Sequence, residues 1–225
     1  MLVVDDIDPF FIERIKRLRA KFQYRMETLQ KKVVAVTSSV AGEGKTILST
    51  SLAAILALEG RKKVLLIDMD LRNSELVKMV DIPQVPGLSE FIKGEAKLEK
   101  ILQNSLFDGL HIIPCGTKII DPGDLIAGKT FGSFIKEIQA DYDFVIIDTP
   151  PVIPVSDALS IRELVDGYIF VVGSKYATHS VIKQAIDEIG ENRVLGVIIN
   201  GVALEKKGYY KQYYGKYYNA PKSKV

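Results

Sequence analysis

The chain has one cysteine, no tryptophan and two histidines among its 225 residues. A lone Cys115 excludes an intrachain disulfide framework, and with it any zinc or iron–sulfur site that draws several cysteines from one copy. What remains for Cys115 is a buried structural thiol in a reducing compartment. A dominant charge sign is also missing: 30 Lys and Arg stand against 28 Asp and Glu, a net charge of +2. Composition therefore gives no sign of a nucleic-acid binder. No apolar run approaches the roughly 20 residues that a bilayer-spanning helix requires. The opening MLVVDDIDPF lacks the basic start and long apolar core of a secretory signal. These absences lead to the expectation of a soluble, cytoplasmic protein, long enough for one large α/β domain or two small ones.

What is present is a regular alternation. VVAVT (33–37), KVLLID (63–68), FVIID (144–148), GYIFVV (167–172) and LGVIIN (195–200) are nearly continuous Val, Ile and Leu. Such runs suit strands buried on both faces of a parallel sheet. LHIIP (110–114) is a weaker candidate. Helices are expected over 45–58, about 123–139, 156–164 and 178–189. This order predicts an α/β fold: a doubly wound, mainly parallel sheet flanked by helices, joined by right-handed crossovers. Residues 31–204 form the expected domain, preceded by an N-terminal segment, 1–30, and followed by a flexible tail, 205–225. Within the first segment a helix is expected from Pro9 to residue 30, with Asp8 as its cap. Ile12, Ile15, Leu18, Phe22, Met26 and Leu29 form its apolar stripe. Arg14, Lys16, Arg17, Arg19, Lys21 and Arg25 crowd the other side. The default reading is a docked helix with a solvated basic face; such a face can also meet an acidic partner or a membrane surface.

The strongest chemical signal is VTSSVAGEGKT, 36–46, where a strand runs into a small-residue loop and a helix begins. A phosphate-binding loop belongs at such a junction. Its glycines admit backbone N–H groups to the phosphates, the helix N-terminus adds positive potential, Lys45 neutralises β/γ charge, and Thr46 can ligate Mg²⁺. Ser39 stands where the usual pattern begins with glycine, so the pattern is only partly met. Two acidic strand ends join the loop: KVLLIDMDLR carries Asp68 and Asp70, and FVIIDTPP carries Asp148. Ligands bind beyond the carboxyl ends of strands in open parallel sheets. A carboxylate placed there costs stability unless it holds a metal, a water or a base role. For Asp70 the structural alternative is a helix cap or an ion pair with Arg72. Taken together, these residues describe a Mg-nucleotide site with a spare carboxylate.

The loop AGEGKT, the segment VLLIDMDLR and the segment FVIIDTPPVIPVSDA resemble the Walker A, A′ and B elements of bacterial protein-tyrosine kinases, the BY-kinases. These are cytoplasmic autokinases of capsule and exopolysaccharide assembly. The resemblance continues through GLSEFIKGE (87–95), DPGDLI (121–126), LVDGYIFVV (164–172) and LGVIING (195–201). It implies ATP and Mg²⁺ as cofactors, with Ala41, Gly42, Glu43, Gly44, Lys45, Thr46 and Ile47 around the phosphates and Asn200 near the adenine. Lys45 would stabilise charge in transfer. Thr46 and Asp148, with Asp68, would organise the metal. Asp68 would accept the tyrosine proton, assisted by Asp70.

The resemblance also accounts for GYYKQYYGKYY, 208–218, because members of the family end in an autophosphorylated tyrosine cluster. Tyr209, Tyr210, Tyr213, Tyr214, Tyr217 and Tyr218 would then be substrate. Six phosphotyrosines would add a charge of about −9 to −12 and invert the sign of the tail. Glu13, Lys16 and Arg19 resemble the family's ExxRxxR oligomerisation motif, which implies a ring. Lys16 departs from it, since lysine lacks the bidentate fork of arginine. Ser74 departs too, standing where relatives carry proline. The implied partners are a membrane-bound polysaccharide co-polymerase, whose cytoplasmic end activates the kinase and recruits it to the membrane, and an opposing tyrosine phosphatase.

Three other readings compete. A ParA/MinD-type switch ATPase would share the sheet and acidic motifs, but carries a signature lysine where this chain has Val40, and no tyrosine tail. An iron–sulfur scaffold of the same superfamily needs paired cysteines. A non-catalytic adaptor phosphorylated by another kinase would be expected to have lost one of Lys45, Asp68, Asp70 and Asp148.

Overall fold

Strands rich in Val, Ile and Leu and a helix rich in alanine and leucine set the architecture. The structure, a computed structural model, describes residues 9–202. Helix α1 spans Pro9–Thr28, followed by β1 (Val33–Ser38), α2 (Lys45–Leu58), β2 (Val64–Asp68), α3 (Leu88–Ile92), α4 (Leu98–Ile101), β3 (Gln103–Asn104) and β4 (Leu110–Ile113). Then come α5 (Gly123–Ala127), α6 (Lys129–Ile138), β5 (Phe144–Asp148), α7 (Asp157–Ser160), β6 (Gly167–Gly173), α8 (His179–Ile189) and β7 (Val194–Asn200). The seven strands form one sheet in the order β3-β4-β2-β5-β1-β6-β7. Every pairing is parallel except the short antiparallel contact of β3 with β4. The expected doubly wound, mainly parallel sheet is therefore present.

Burial explains the strand sequences. Every residue of β1, β2 and β5 is buried, so both faces must be apolar. Val33, Ala35, Leu65, Ile67, Val145 and Ile147 face one layer with Phe131, Phe134 and Ile135 of α6. Val34, Val36, Val64, Leu66 and Ile146 face the other, with Leu52 and Leu56 of α2. Each such Val, Leu, Ile or Phe side chain is worth about 1.5–3 kcal/mol relative to exposure. Helix α1 joins the second layer through Ile15, Phe22 and Met26, and the Phe22 ring meets Phe144 edge-on with centroids 5.3 Å apart.

The structure departs from expectation in four places. The helix expected over 123–139 is two helices, because the chain turns extended at Gly128 (φ −66°, ψ 157°). The helix expected over 156–164 closes after Ser160 and continues as turns. There the Ala158 carbonyl accepts the Tyr168 hydroxyl at 2.7 Å. Leu29 lies beyond the end of α1 and is 44% exposed, since Gln30 takes a left-handed φ of 54°. Strand β3 is the fourth, a Gln–Asn pair with no apolar pattern to announce it.

Candidate functional site

Strand β1 ends at Ser38 and the chain turns through 39–44 into α2, which begins at Lys45. Gly42 and Gly44 take φ values of 84° and 90°, the left-handed region that glycine enters without strain. A Cβ at Gly44 would also lie 2.1 Å from the Asn200 amide nitrogen. The loop curls around the start of α2 and borders a cleft of about 650 Å³. Ala41, Gly42, Gly44, Lys45, Thr46 and Ile47 line one side, Asp70, Arg72, Asn73, Glu75 and Met79 another, and Pro150, Pro151, Pro154 and Val155 the third. This volume is in the range of small-molecule and cofactor sites, about 300–1,000 Å³.

Sheet register brings the acids together. Asp68 pairs with Asp148 across β2 and β5, and Val36 of β1 pairs with Asp148 from the other side. Asp70 follows β2 and faces the cleft, where its Oδ2 lies 3.5 Å from Lys45 Nζ and its Oδ1 accepts the Asn73 N–H at 2.9 Å. Asp70 thus caps its own turn and pairs with Lys45 rather than Arg72. Arg72 instead makes a two-bonded pair with the buried Asp157, at 2.7 and 3.1 Å. Asp68 stands behind Asp70, fully buried. Its Oδ1 accepts the Asp70 N–H at 3.2 Å and its Oδ2 accepts the Ser74 hydroxyl. Burial, with the Asp148 charge alongside, pushes Asp68 up to about 8, against the pull of the Ser74 bond. Burial likewise pushes Asp148 up to about 6, against the pull of the Lys45 charge.

Two residues of the expected nucleotide set do not line the cleft. Glu43 turns inward: its carboxylate accepts the Val40 and Gly173 N–H groups at 2.9 Å each, stapling the loop to the end of β6. Asn200 donates to the Glu43 carbonyl at 3.0 Å, so β7 braces the same loop. Tyr176, which no motif singled out, lies across the loop from outside. Added Cβ atoms at Gly42 and Gly173 would come within 2.8 and 2.5 Å of its ring. Asp157 was visible only as part of VSDA.

Asp148 Oδ1 is buried without a hydrogen-bond partner among the described residues. A buried carboxylate oxygen left unsatisfied is costly, and here it stands beside Lys45 and the first turn of α2. That fits a divalent cation held between Thr46, Asp148 and nucleotide phosphates. Among the described residues no cluster of three or more His, Cys, Asp or Glu would hold a metal without the nucleotide. Of the expected oligomerisation set, Lys16 pairs within the chain, 3.8 Å from Glu13 and 2.8 Å from Glu59, and Arg19 Nε is buried without a hydrogen-bond partner among the described residues. The six tail tyrosines lie outside the described residues.

A left-handed glycine loop at a strand–helix junction, with a lysine at the helix start and acidic strand ends beside it, defines a P-loop nucleotide-binding protein. Residues 31–193 match the AAA domain family. The chain is 31% identical over 205 residues to the tyrosine-protein kinase YwqD of Bacillus subtilis (strain 168), covering 90% of this chain and 86% of that protein. It is 29% identical over 213 residues to the tyrosine-protein kinase ptk of Acinetobacter johnsonii, covering 93% of this chain but only 29% of that longer protein. Among solved structures, the kinase domain of the Escherichia coli tyrosine kinase ETK superposes with a TM-score of 0.81 at 28% identity, over 86% of this chain and 76% of that one. The chain belongs to the AAA domain family and, within it, to the bacterial tyrosine-protein kinases. No helix among the described residues is long and apolar enough to cross a membrane.

Proposed function

We propose that this chain is an ATP-dependent protein-tyrosine autokinase. It transfers the γ-phosphoryl group to Tyr209, Tyr210, Tyr213, Tyr214, Tyr217 and Tyr218, between subunits of an oligomer, and so regulates exopolysaccharide or capsule synthesis and export. The observation that carries this reading is the convergence of Lys45, Asp70, Asp68 and Asp148 at the carboxyl edge of the sheet, with Lys45 and Asp70 3.5 Å apart in the cleft. The tail in trans, the ring through Glu13, Lys16 and Arg19, the membrane-bound co-polymerase as activator and the opposing phosphatase are supported by the resemblance to the family.

Phosphoryl transfer depends mainly on positioning and charge stabilisation. The loop N–H groups bind the phosphates, and Lys45 shifts from Asp70 to the transferred group. Bound Mg²⁺, held by Thr46 and Asp148 with Asp68 close by, would neutralise phosphate charge. The tyrosine hydroxyl attacks the γ-phosphorus, the bond from that phosphorus to the ADP oxygen breaks, and the tyrosine proton passes to Asp68, with Asp70 the group nearest the cleft. Asp68 must be ionised to take the proton and would be kept so by the bound cation's charge. Asn200 holds the loop through the Glu43 carbonyl; its contact with the adenine is supported by the resemblance to the family alone.

Intact mass with peptide mapping after incubation with Mg-ATP tests this, alone and with the cytoplasmic end of a candidate membrane partner. Successive phosphates on residues 209–218, absent in Lys45→Met, are expected. Unchanged tail labelling in Lys45→Met would sink the assignment. Hydrolysis of ATP to ADP with no phosphotyrosine under any condition would favour the switch ATPase.

A further inference from the structure

Helix α1 carries six Lys and Arg against two Glu, and both acids are already engaged. Glu13 pairs with Lys16 at 3.8 Å, and Glu27 with Lys62 at 2.9 Å. Arg14, Arg17, Lys21 and Arg25 are all exposed. Their spacings of three, four and four place them on one helical face. Arg14, Lys21 and Arg25 have no carboxylate within ion-pair distance among the described residues. From Arg14 to Arg25 the stripe runs about 17 Å along the helix. It is a different face from that of Glu13, Lys16 and Arg19, which are half-buried.

The position of α1 gives the stripe a direction. Phe22 packs on Phe144, the first residue of β5. Lys16 reaches Glu59, just past the end of α2, and Glu27 reaches Lys62, just before β2. All three contacts lie at the amino edge of the sheet, whereas the nucleotide cleft opens at the carboxyl edge.

We infer that the outer face of α1 binds an anionic membrane surface, through phospholipid headgroups, and leaves the nucleotide cleft facing away from the bilayer. Charge complementarity is the first support: unpaired basic groups near an anionic leaflet each strengthen binding severalfold. The second is Tyr24, 73% exposed at the border of the stripe, a residue type that favours the membrane–water interface. A nucleic acid fits less well. The neighbouring lysines that could widen the stripe are already committed: Lys31 to the Asp166 carbonyl, Lys32 to the Tyr142 carbonyl, Lys62 to Glu27, and Lys63 over the Tyr142 ring. A flat surface needs only the convex stripe, whereas a duplex held in a groove needs flanking positive charge.

The test is flotation of the full chain with vesicles of phosphatidylcholine alone or mixed with phosphatidylglycerol, at rising salt and without ATP. Its outcome is therefore separate from that of the kinase assay. Binding to the mixed vesicles only, weakening with salt, is expected. Arg14→Glu, Lys21→Glu and Arg25→Glu together should lower the apparent affinity by about 100-fold or more, at roughly fivefold per residue. The corresponding Gln variants should fall between, and circular dichroism should show all of them folded, since the three side chains are exposed. Three results would overturn the inference: no binding by the wild-type chain, equal binding by the Glu variant, or a nucleic acid duplex displacing the vesicles at matched salt.

Discussion

Strand β5 has an aspartate at either end, under opposite conditions. Asp143, just before the strand, is exposed and accepts the Lys63 N–H at 2.8 Å. Asp166 does the same work before β6, accepting the N–H groups of Lys32 and Val33 at 2.8 Å each. At the amino edge, then, aspartates satisfy backbone donors at strand starts. At the carboxyl edge Asp148 is 1% exposed with one oxygen unpartnered, beside Asp68, which is fully buried. Two carboxylates side by side in the dry interior repel each other and resist ionisation. The first pair stabilises the fold; the second is tolerated at a cost that a bound nucleotide and cation would offset.

Asp148→Asn should break this contrast most strongly. Removing the charge relieves the repulsion on Asp68, so the thermal midpoint should stay level or rise, as often happens when a strained site is neutralised. Tail labelling should fall by about 100-fold or more, the order of loss for an essential electrostatic group. Calorimetry beside intact mass measures both, and a less stable protein with full labelling would mean that Asp148 is structural. Glu90 sharpens the point, because it is buried but satisfied. It accepts the Gly87 N–H at 2.7 Å and the Thr117 N–H at 3.1 Å. Burial pushes its pKa up, but the Thr117 and Gly87 bonds outweigh that and hold it at about 2. A carboxylate whose pKa is depressed on folding contributes stability above its unfolded value. The contribution should thus be whole above about 4.5 and lost as pH falls towards about 2. Glu90→Gln keeps one acceptor oxygen and is expected to cost about 2 kcal/mol at neutral pH, with the gap to wild type closing in denaturant titrations at acid pH. Asp166→Ala should cost about 2 kcal/mol by stranding two backbone donors, while labelling per folded molecule stays unchanged.

The sequence made the central sheet legible because β1, β2 and β5 are buried on both faces and are apolar everywhere but at their carboxyl ends. The phosphate loop was legible because only glycine enters φ near 90° freely where Gly42 and Gly44 stand. Contacts between distant segments were not. Nothing near Glu43 says that its carboxylate turns inward to Gly173, 130 residues away. Asp70 and Arg72 are neighbours in sequence, yet the turn after β2 sends one to Lys45 and the other to Asp157. Gly128 was read as an interior helix residue, although the break it allows separates α5 from α6.

Ser74 yields the smallest expected effect and bears on the proton acceptor. The family pattern that the sequence resembles would place proline there, which offers no donor; here the Ser74 hydroxyl donates to Asp68 Oδ2. A hydrogen bond of this kind stabilises the ionised carboxylate and so weakens it as a proton acceptor. Ser74→Ala removes the tie and should cost about 1 kcal/mol of stability, the usual net worth of such a bond. Labelling at saturating ATP should quicken severalfold, with nucleotide affinity unchanged because Ser74 does not border the cleft. Single-turnover labelling beside nucleotide titration separates the two. A parallel change in nucleotide affinity would mean that Ser74 shapes the turn carrying Asp70. Unchanged labelling with the stability loss would move proton acceptance from Asp68 to Asp70, the carboxylate that faces the cleft and stands 3.5 Å from Lys45.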